Sequence, residues 1–377
     1  MKMKQFILLW IKRFRTMVRY RLLVLTSVPI ILTLFALFAL TMYWTVTYTW
    51  QNALMNVKAD LTVAHNSIDL LQKEQRMQLK SLSSSYDFQH LLRTDKAKLP
   101  AWVNQQAENN VLDFVVLHPA STLDTFPLAT QQLLLAGKSQ TFFQVLNSEQ
   151  LLALNDNLPI NAQIPLLHEN KLESKGLVSR NLQPIFDANN QLQWIIDGGM
   201  LLNNSTSLVD RIRDLVYTEG TLPPGSIGTV TLFMDDIRVS TNVPLDSEQL
   251  NGRAIGTRVS LEVKQQVLID GHDWVGRAFV YDNWYISAYE PLRDYDGNVI
   301  GMLYTGYLEW PLLETFLTNI AEFSVGIIAV LLLSGGLVYR GARDLFRPIE
   351  KIHNVVRVVP LGLNRRIGDL GLCQDHE

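Results

Sequence analysis

Two long, uncharged apolar runs bracket a middle region of shorter and more varied patterning. Residues 22–44 are almost wholly apolar and carry no charge. About 20 such residues cross a hydrocarbon core, so the run predicts a transmembrane helix. It is too long for the apolar core of a signal peptide, and no small-residue cleavage site follows it, which predicts an uncleaved anchor. Pro29 lies inside it, and Tyr43, Trp44, Tyr48 and Trp50 gather at its far end as an interfacial aromatic belt does. A second run over 323–339, extended by Leu317 and Ile320, predicts another span over 317–339. Ser334, Gly335 and Gly336 would let a neighbouring helix approach it closely.

Between the runs the period changes. Leu54, Val57, Leu61, Ala64, Ile68 and Leu71 recur at alternating three- and four-residue spacing, and no proline interrupts 51–99. This predicts a long helix over 50–85 with a narrow apolar seam. Such a seam serves equally for pairing with a second protomer or for lying along the chain's own sheet. Beyond it, residues 111–118, 193–198, 228–233, 238–242, 276–281, 284–290 and 299–306 have the composition and flanks of strands. Asp187 to Gln191, Asp282-Asn283 and Asp296-Gly297-Asn298 have hairpin-turn chemistry. Residues 208–216 read as a helix with Asn203, Asn204 and Ser205 as capping candidates. Residues 256–269 read as a second amphipathic helix, and 120–175 as loops and short helices. Antiparallel strands with helices packed on them give an α+β fold between two transmembrane helices.

Charge orients this arrangement. Lys2, Lys4, Lys12, Arg13, Arg15, Arg19 and Arg21 precede the first span, and Arg340, Arg343, Arg347 and Lys351 follow the second. Both ends are therefore expected in the cytoplasm, with 50–316 outside. Residues 6–10 form an apolar patch among these cations, and read as lying along the inner leaflet or as part of a solvated tail. The whole chain of 377 residues carries a net charge of only −3 and has a mean hydropathy of +0.08. No long basic face exists for nucleic acid. The single cysteine, Cys373, cannot close an internal disulfide, so the outer region must be held by packing.

The chemistry in the sequence is that of binding. Neither a phosphate-binding loop nor a kinase glycine loop appears, the histidines lack metal-ligand spacing, and no cofactor is implied. His353 reads as a solvated position on a helix. Asp235, Asp236 and Glu290 could suggest a carboxylate pair, but the aspartates read better as turn residues, and Glu290 precedes Pro291 at a strand end. The candidate binding residues are Arg238, Arg258, Arg277, Trp284, Tyr285 and Tyr289. Guanidinium forks match carboxylates, and aromatic rings supply walls with polar tips. The competing reading makes the aromatics core and the arginines surface ion pairs.

Several ordered segments carry a resemblance. They are 228–233 (GTVTLF), 238–242 (RVSTN), 256–258 (GTR), 276–278 (GRA), 284–291 (WYISAYEP) and 296–306 (DGNVIGMLYTG). Together they resemble a Cache sensor domain, a PAS-like antiparallel sheet. Asp187 and 198–203 (GGMLLN) resemble the end of an earlier unit, which implies a tandem, double Cache ectodomain. The implied layout is a basic cytoplasmic tail (1–21), a first span (22–44) and the long helix (50–85). A membrane-distal module (86–205), a membrane-proximal module (206–315) and the second span (317–339) follow. Pro348-Ile349-Glu350, the seam Ile349, Ile352, Val356 and Val359, and the acidic Asp375 and Glu377 resemble the opening of a HAMP linker over 340–377. The sequence stops where its second helix should begin. The resemblance implies a homodimeric bacterial inner-membrane receptor with a periplasmic sensor for small metabolites, organic anions among them. Its expected partners are that ligand and membrane lipid. It implies the sensor portion of a two-component histidine kinase, with a chemotaxis receptor or a diguanylate cyclase as other parents. A membrane-anchored binding protein without signalling output is the reading from another class. A distal ligand pocket is the alternative to the proximal one.

Overall fold

The computed structural model describes residues 18–108, 112–167, 169–246 and 251–358. Residues 1–17, with the apolar 6–10 patch, and 359–377, with the end of the expected linker, lie outside the described residues. The first element is a continuous helix, α1 (Val18–Ser84), and it is followed by α2 (Tyr86–Thr94) and α3 (Leu99–Glu108). The span and the long helix, read separately from the sequence, are thus one element. Next come β1 (Phe114–Pro119), a 3-10 turn, α4 (Leu128–Leu135), β2 (Gln140–Leu146), α5 (Ser148–Leu154) and α6 (Leu158–Asn161). Then follow β3 (Ile164–Leu166), β4 (Lys171–Glu173), β5 (Gly176–Phe186), β6 (Leu192–Leu201) and α7 (Thr206–Val216). The last part holds β7 (Gly228–Met234), β8 (Ile237–Thr241), β9 (Pro244–Asp246) and β10 (Asn251–Arg253). It continues with α8 (Leu261–Val263, then a π-helical turn, Lys264–Ile269), β11 (Trp274–Val280), β12 (Asn283–Arg293) and β13 (Val299–Leu308). Helix α9 (Glu309–Val358) ends the described chain.

Among the described residues two larger antiparallel sheets form, a first in the order β1-β6-β5-β2 and a second in the order β11-β12-β13-β7-β8, beside the two-stranded ribbons β3–β4 and β9–β10. The fold is α+β, as the pattern predicts. Contacts divide the chain into residues 50–314, which hold both sheets, and a unit of 1–49 with 315–377, which holds the two apolar helices. Both are long and apolar enough to cross a membrane.

The seam of α1 settles one open choice. Ala53, Val57, Leu61, Ala64, Ile68 and Leu71 are buried in one cluster with Val230, Leu232, Ile286, Ala288 and Leu303 of the second sheet, and with Leu208 and Ile212 of α7. The helix lies on its own sheet. Further along, Leu79 packs against the first sheet where Gly198 stands: an added Cβ there would come within 2.7 Å of the leucine side chain. Side chains alternate along each strand. The opposite face of the second sheet therefore presents Phe233, Tyr285, Tyr289, Met302 and Tyr304, which form a cluster of their own.

Three expectations are corrected. The 120–175 region contains the strand β2, and β5 beside it was not predicted. The helix read over 256–269 begins only after Ser260. Gly256 has φ +79°, and Arg258 bridges to Ile237, because Arg238 N–H donates to Thr257 O and Gly256 N–H to Arg238 O. Ser205 takes the cap position of α7 without a side-chain bond, while Asn203 instead receives Leu177 N–H and donates to Ala162 O and Lys175 O.

Candidate ligand-binding site

The turn before β8 aims the key residue. Asp235 adopts φ 53°, and a bulge between Leu232 and Phe233 shifts the β7–β8 register so that Phe233 faces Arg238. The Arg238 side chain turns into the face of the second sheet remote from α1 and is only 2% exposed. One guanidinium nitrogen donates to Thr257 Oγ1, and the fork lies 4.9 Å from the Phe233 ring centroid. Its Nε has no protein partner. Around it, Tyr289 packs on Tyr304 at 4.7 Å between centroids, with Trp274 at 5.6 Å edge-on to Tyr289. Tyr304 shares a 3.0 Å hydrogen bond with Thr229, and Thr231 and Thr241 share one of 2.6 Å. Val243, Ala254, Val263 and Val267 cover the chamber from the β9–β10 ribbon and α8.

Electrostatics single out the guanidinium. Burial holds Arg238 below its usual value, and the groups that oppose this are the phenols of Tyr289, Tyr304 and Tyr285. Among the described residues no carboxylate pairs with it. Burial in turn pushes the Tyr289 phenol well up and Tyr304 up to about 12, so both remain neutral. Arginine stays protonated at any ordinary pH. The chamber therefore holds a desolvated cation among neutral hydroxyls and rings.

The six residues read from the sequence divide accordingly. Arg238, Tyr285 and Tyr289 meet in this chamber, all fully buried or nearly so. Arg258 lies outside it. It bridges Glu169 and Asp236 at 2.5 Å each, and Asp236 also holds Lys264 at 2.7 Å. Arg277 and Trp284 alternate onto the opposite face. There Arg277 donates to Glu309 at 2.5 Å and stacks 4.1 Å over the exposed Trp284 ring. Sequence reasoning missed Tyr304, Thr229 and Thr257. Their signal was the in-phase alternation of polar and aromatic residues along strands whose other face is aliphatic.

The first sheet has a comparable face, and its chemistry differs. Arg180 grips Asp197 through Nε at 2.9 and 3.0 Å and donates to Gln144 at 2.8 Å. His118 completes the group at 3.1 Å from Asp197. Despite full burial, the Arg180 and His118 partners hold the Asp197 carboxyl below its usual range. This cluster was also missed: Asp197 stands as a lone charge in a largely apolar strand, while Arg180 sits among Ser179, Asn181 and Gln183.

Residues 200–318 match the family model described as Single cache domain 3. This segment is a Cache domain. The match contains the resemblance read over 225–310, and the first sheet lies outside it but for the last two residues of β6. Solved structures similar to this chain include the Vibrio cholerae LuxQ periplasmic domain, at 13% identity and TM-score 0.34, covering 68% of this chain and 99% of that one. The V. cholerae histidine kinase DctB sensor domain matches at 10% and 0.32, covering 68% and 97%. The ligand-binding domain of the Pseudomonas aeruginosa PAO1 amino acid chemoreceptor PctB, in complex with L-Arg, matches at 11% and 0.36, covering 76% and 98%. No curated protein matches the chain.

Proposed function

We propose that this chain is the sensor portion of a bacterial inner-membrane signalling receptor whose Cache domain binds a small organic anion at Arg238. The observation that carries the reading is a buried guanidinium with an unpartnered Nε and no carboxylate beside it. An unpaired buried charge costs several kcal/mol, a penalty that a carboxylate ligand offsets with charge-assisted hydrogen bonds. Tyr289 and Tyr304 supply ring walls and hydroxyl tips for the ligand's remaining surface. The second sheet is favoured over the first because Arg180 is already neutralised by Asp197, whereas Arg238 is not.

Binding would bias two states of the connection from the second sheet through β13 into α9, which enters the cytoplasm as a relay of HAMP type. The parent is a homodimeric histidine kinase; a chemotaxis receptor or a diguanylate cyclase would share this front end. Thermal melts of the full chain in detergent, screened against small mono- and dicarboxylates, test the site. A ligand should raise the transition of the wild type and leave Arg238→Met unmoved, while the exposed Arg211→Met responds like wild type. A carboxylate whose shift survives both Arg238→Met and Tyr289→Phe would place binding elsewhere.

A further inference from the structure

We propose that the groove between the two apolar helices is a binding site for a membrane lipid with a primary-ammonium headgroup, held by Glu322. The groove, of about 390 Å³, is lined by one face of α1 (Leu34, Leu37, Phe38, Thr41, Thr45) and one face of α9 around Glu322. Its size suits a small ligand or part of an acyl chain. The polar members of an otherwise apolar lining are Asn319 and Glu322 on α9 and Thr41 and Thr45 on α1.

The two threonines cannot satisfy the carboxylate with their hydroxyl protons. Thr41 donates to Leu37 O at 2.9 Å and Thr45 to Thr41 O at 2.8 Å, both within their own helix. Among the described residues no cation pairs with Glu322. An ionisable side chain inside a span is expensive and marks a functional position. Glu322 lies near the start of the 317–339 span and lines the groove with Thr41, Met42 and Thr45, which flank the aromatic pair Tyr43 and Trp44 in α1. That is headgroup depth. An ammonium group there meets the carboxylate while its acyl chain enters the apolar part of the groove. An anionic headgroup would meet repulsion instead.

The proposal rests on both helices spanning the bilayer, and the experiment separates the two ideas. The full chain in neutral detergent is titrated with phosphatidylethanolamine or phosphatidylglycerol of identical acyl chains, and bound lipids are counted by native mass spectrometry. The wild type should retain phosphatidylethanolamine about two- to fivefold over phosphatidylglycerol, the range of one partly solvated ion pair. Glu322→Gln should lose the preference and keep its fold by circular dichroism. Equal retention by the wild type, or a preference that survives Glu322→Gln, overturns the proposal. So does a disulfide between copies through Thr41→Cys in membranes, which puts a second chain in the groove. Recovery of the chain in the soluble fraction without detergent would defeat the spanning reading itself.

Discussion

Replacing Arg238 by methionine distinguishes a guanidinium kept for a ligand from one that holds the fold together. Without ligand, the change removes a desolvated charge and an unpartnered Nε–H, each a destabilising feature. A buried unsatisfied donor alone costs about 1–3 kcal/mol. Against this stands the loss of the contact over Phe233, worth roughly 0.5–2 kcal/mol. Thr257 loses a donor, yet its hydroxyl still donates to Ala254 O at 2.8 Å. Methionine is long and flexible enough to occupy much of the vacated volume. Replacing uncompensated buried charge by well-packed apolar atoms is neutral or stabilising by about 1–4 kcal/mol. At about 2–4 °C per kcal/mol for a region of this size, Arg238→Met should melt between the wild-type temperature and roughly 16 °C above it. With ligand at a hundredfold its Kd, the wild type gains about 2.7 kcal/mol and the variant nothing. Circular dichroism melts with and without ligand give both numbers. A variant that melts more than about 5 °C below the wild type without ligand would refute the reasoning, because the guanidinium would then be a strut.

The ectodomain should lose stability as pH rises through neutrality. Burial raises Asp60 from 3.8 to about 7, and it also raises Glu290; the 2.7 Å contact with Glu290 raises His65. All three bind protons more tightly folded than unfolded, so their contribution is complete below about pH 4 and is lost towards and beyond pH 7. Asp60→Asn should flatten melting temperature against pH over that window, and parallel curves for variant and wild type would contradict it. Gly301→Ala should destabilise the second sheet by about 1–3 kcal/mol or more, since its Cβ would stand 2.1 Å from Phe233 O across the β13–β7 pair. Urea denaturation reads this, and an unchanged midpoint would count against the register described.

Local chemistry made some elements legible. Asp187 Oδ1 receives Asn189 N–H and Gln191 N–H, with Asn190 at φ 60°, and so closes the β5–β6 hairpin as the turn residues predict. Asp294 does the same before β13 with Asp296 and Asn298. Strand β5 was hidden because its polar members are buried too, and β2 because Gln140, Thr141 and Gln144 are half-buried on either face. Ser179 and Asn181 are fully buried, so the usual outside-polar alternation is absent. Arg238 was found as a lone cation in a buried strand. Arg277 could not be separated from it, because both faces of β11 carry apolar residues and only pairing with β12 fixes its phase. The His65–Glu290 contact joins residues 225 positions apart, beyond the reach of any local pattern.

The seam of α1 shows how much a spacing can carry. Its three-four rhythm of apolar residues runs to Leu71, where the helix covers the aliphatic face of the second sheet. It then gives way to Gln72, Gln75 and Gln78 before Leu79 resumes it. Here the helix meets Ser179 of the first sheet, whose hydroxyl donates to Gln75 Oε1 at 2.9 Å. The amide nitrogens of Gln72 and Gln75 and the Asn181 Oδ1 nearby have no protein partner. A parallel pairing with a second copy would call for apolar residues throughout the seam. The glutamine interruption instead matches a helix that grips one sheet by its apolar half and meets the other through amides as well as through Leu79. Apolar packing resists a change of register, because a shift exposes area and opens cavities. An under-satisfied polar strip resists it less, because a small slide exchanges one set of partners for another. The second sheet, which carries the Arg238 chamber, is therefore the more firmly fastened to α1, while the first sheet is held by Leu79 and the amide strip.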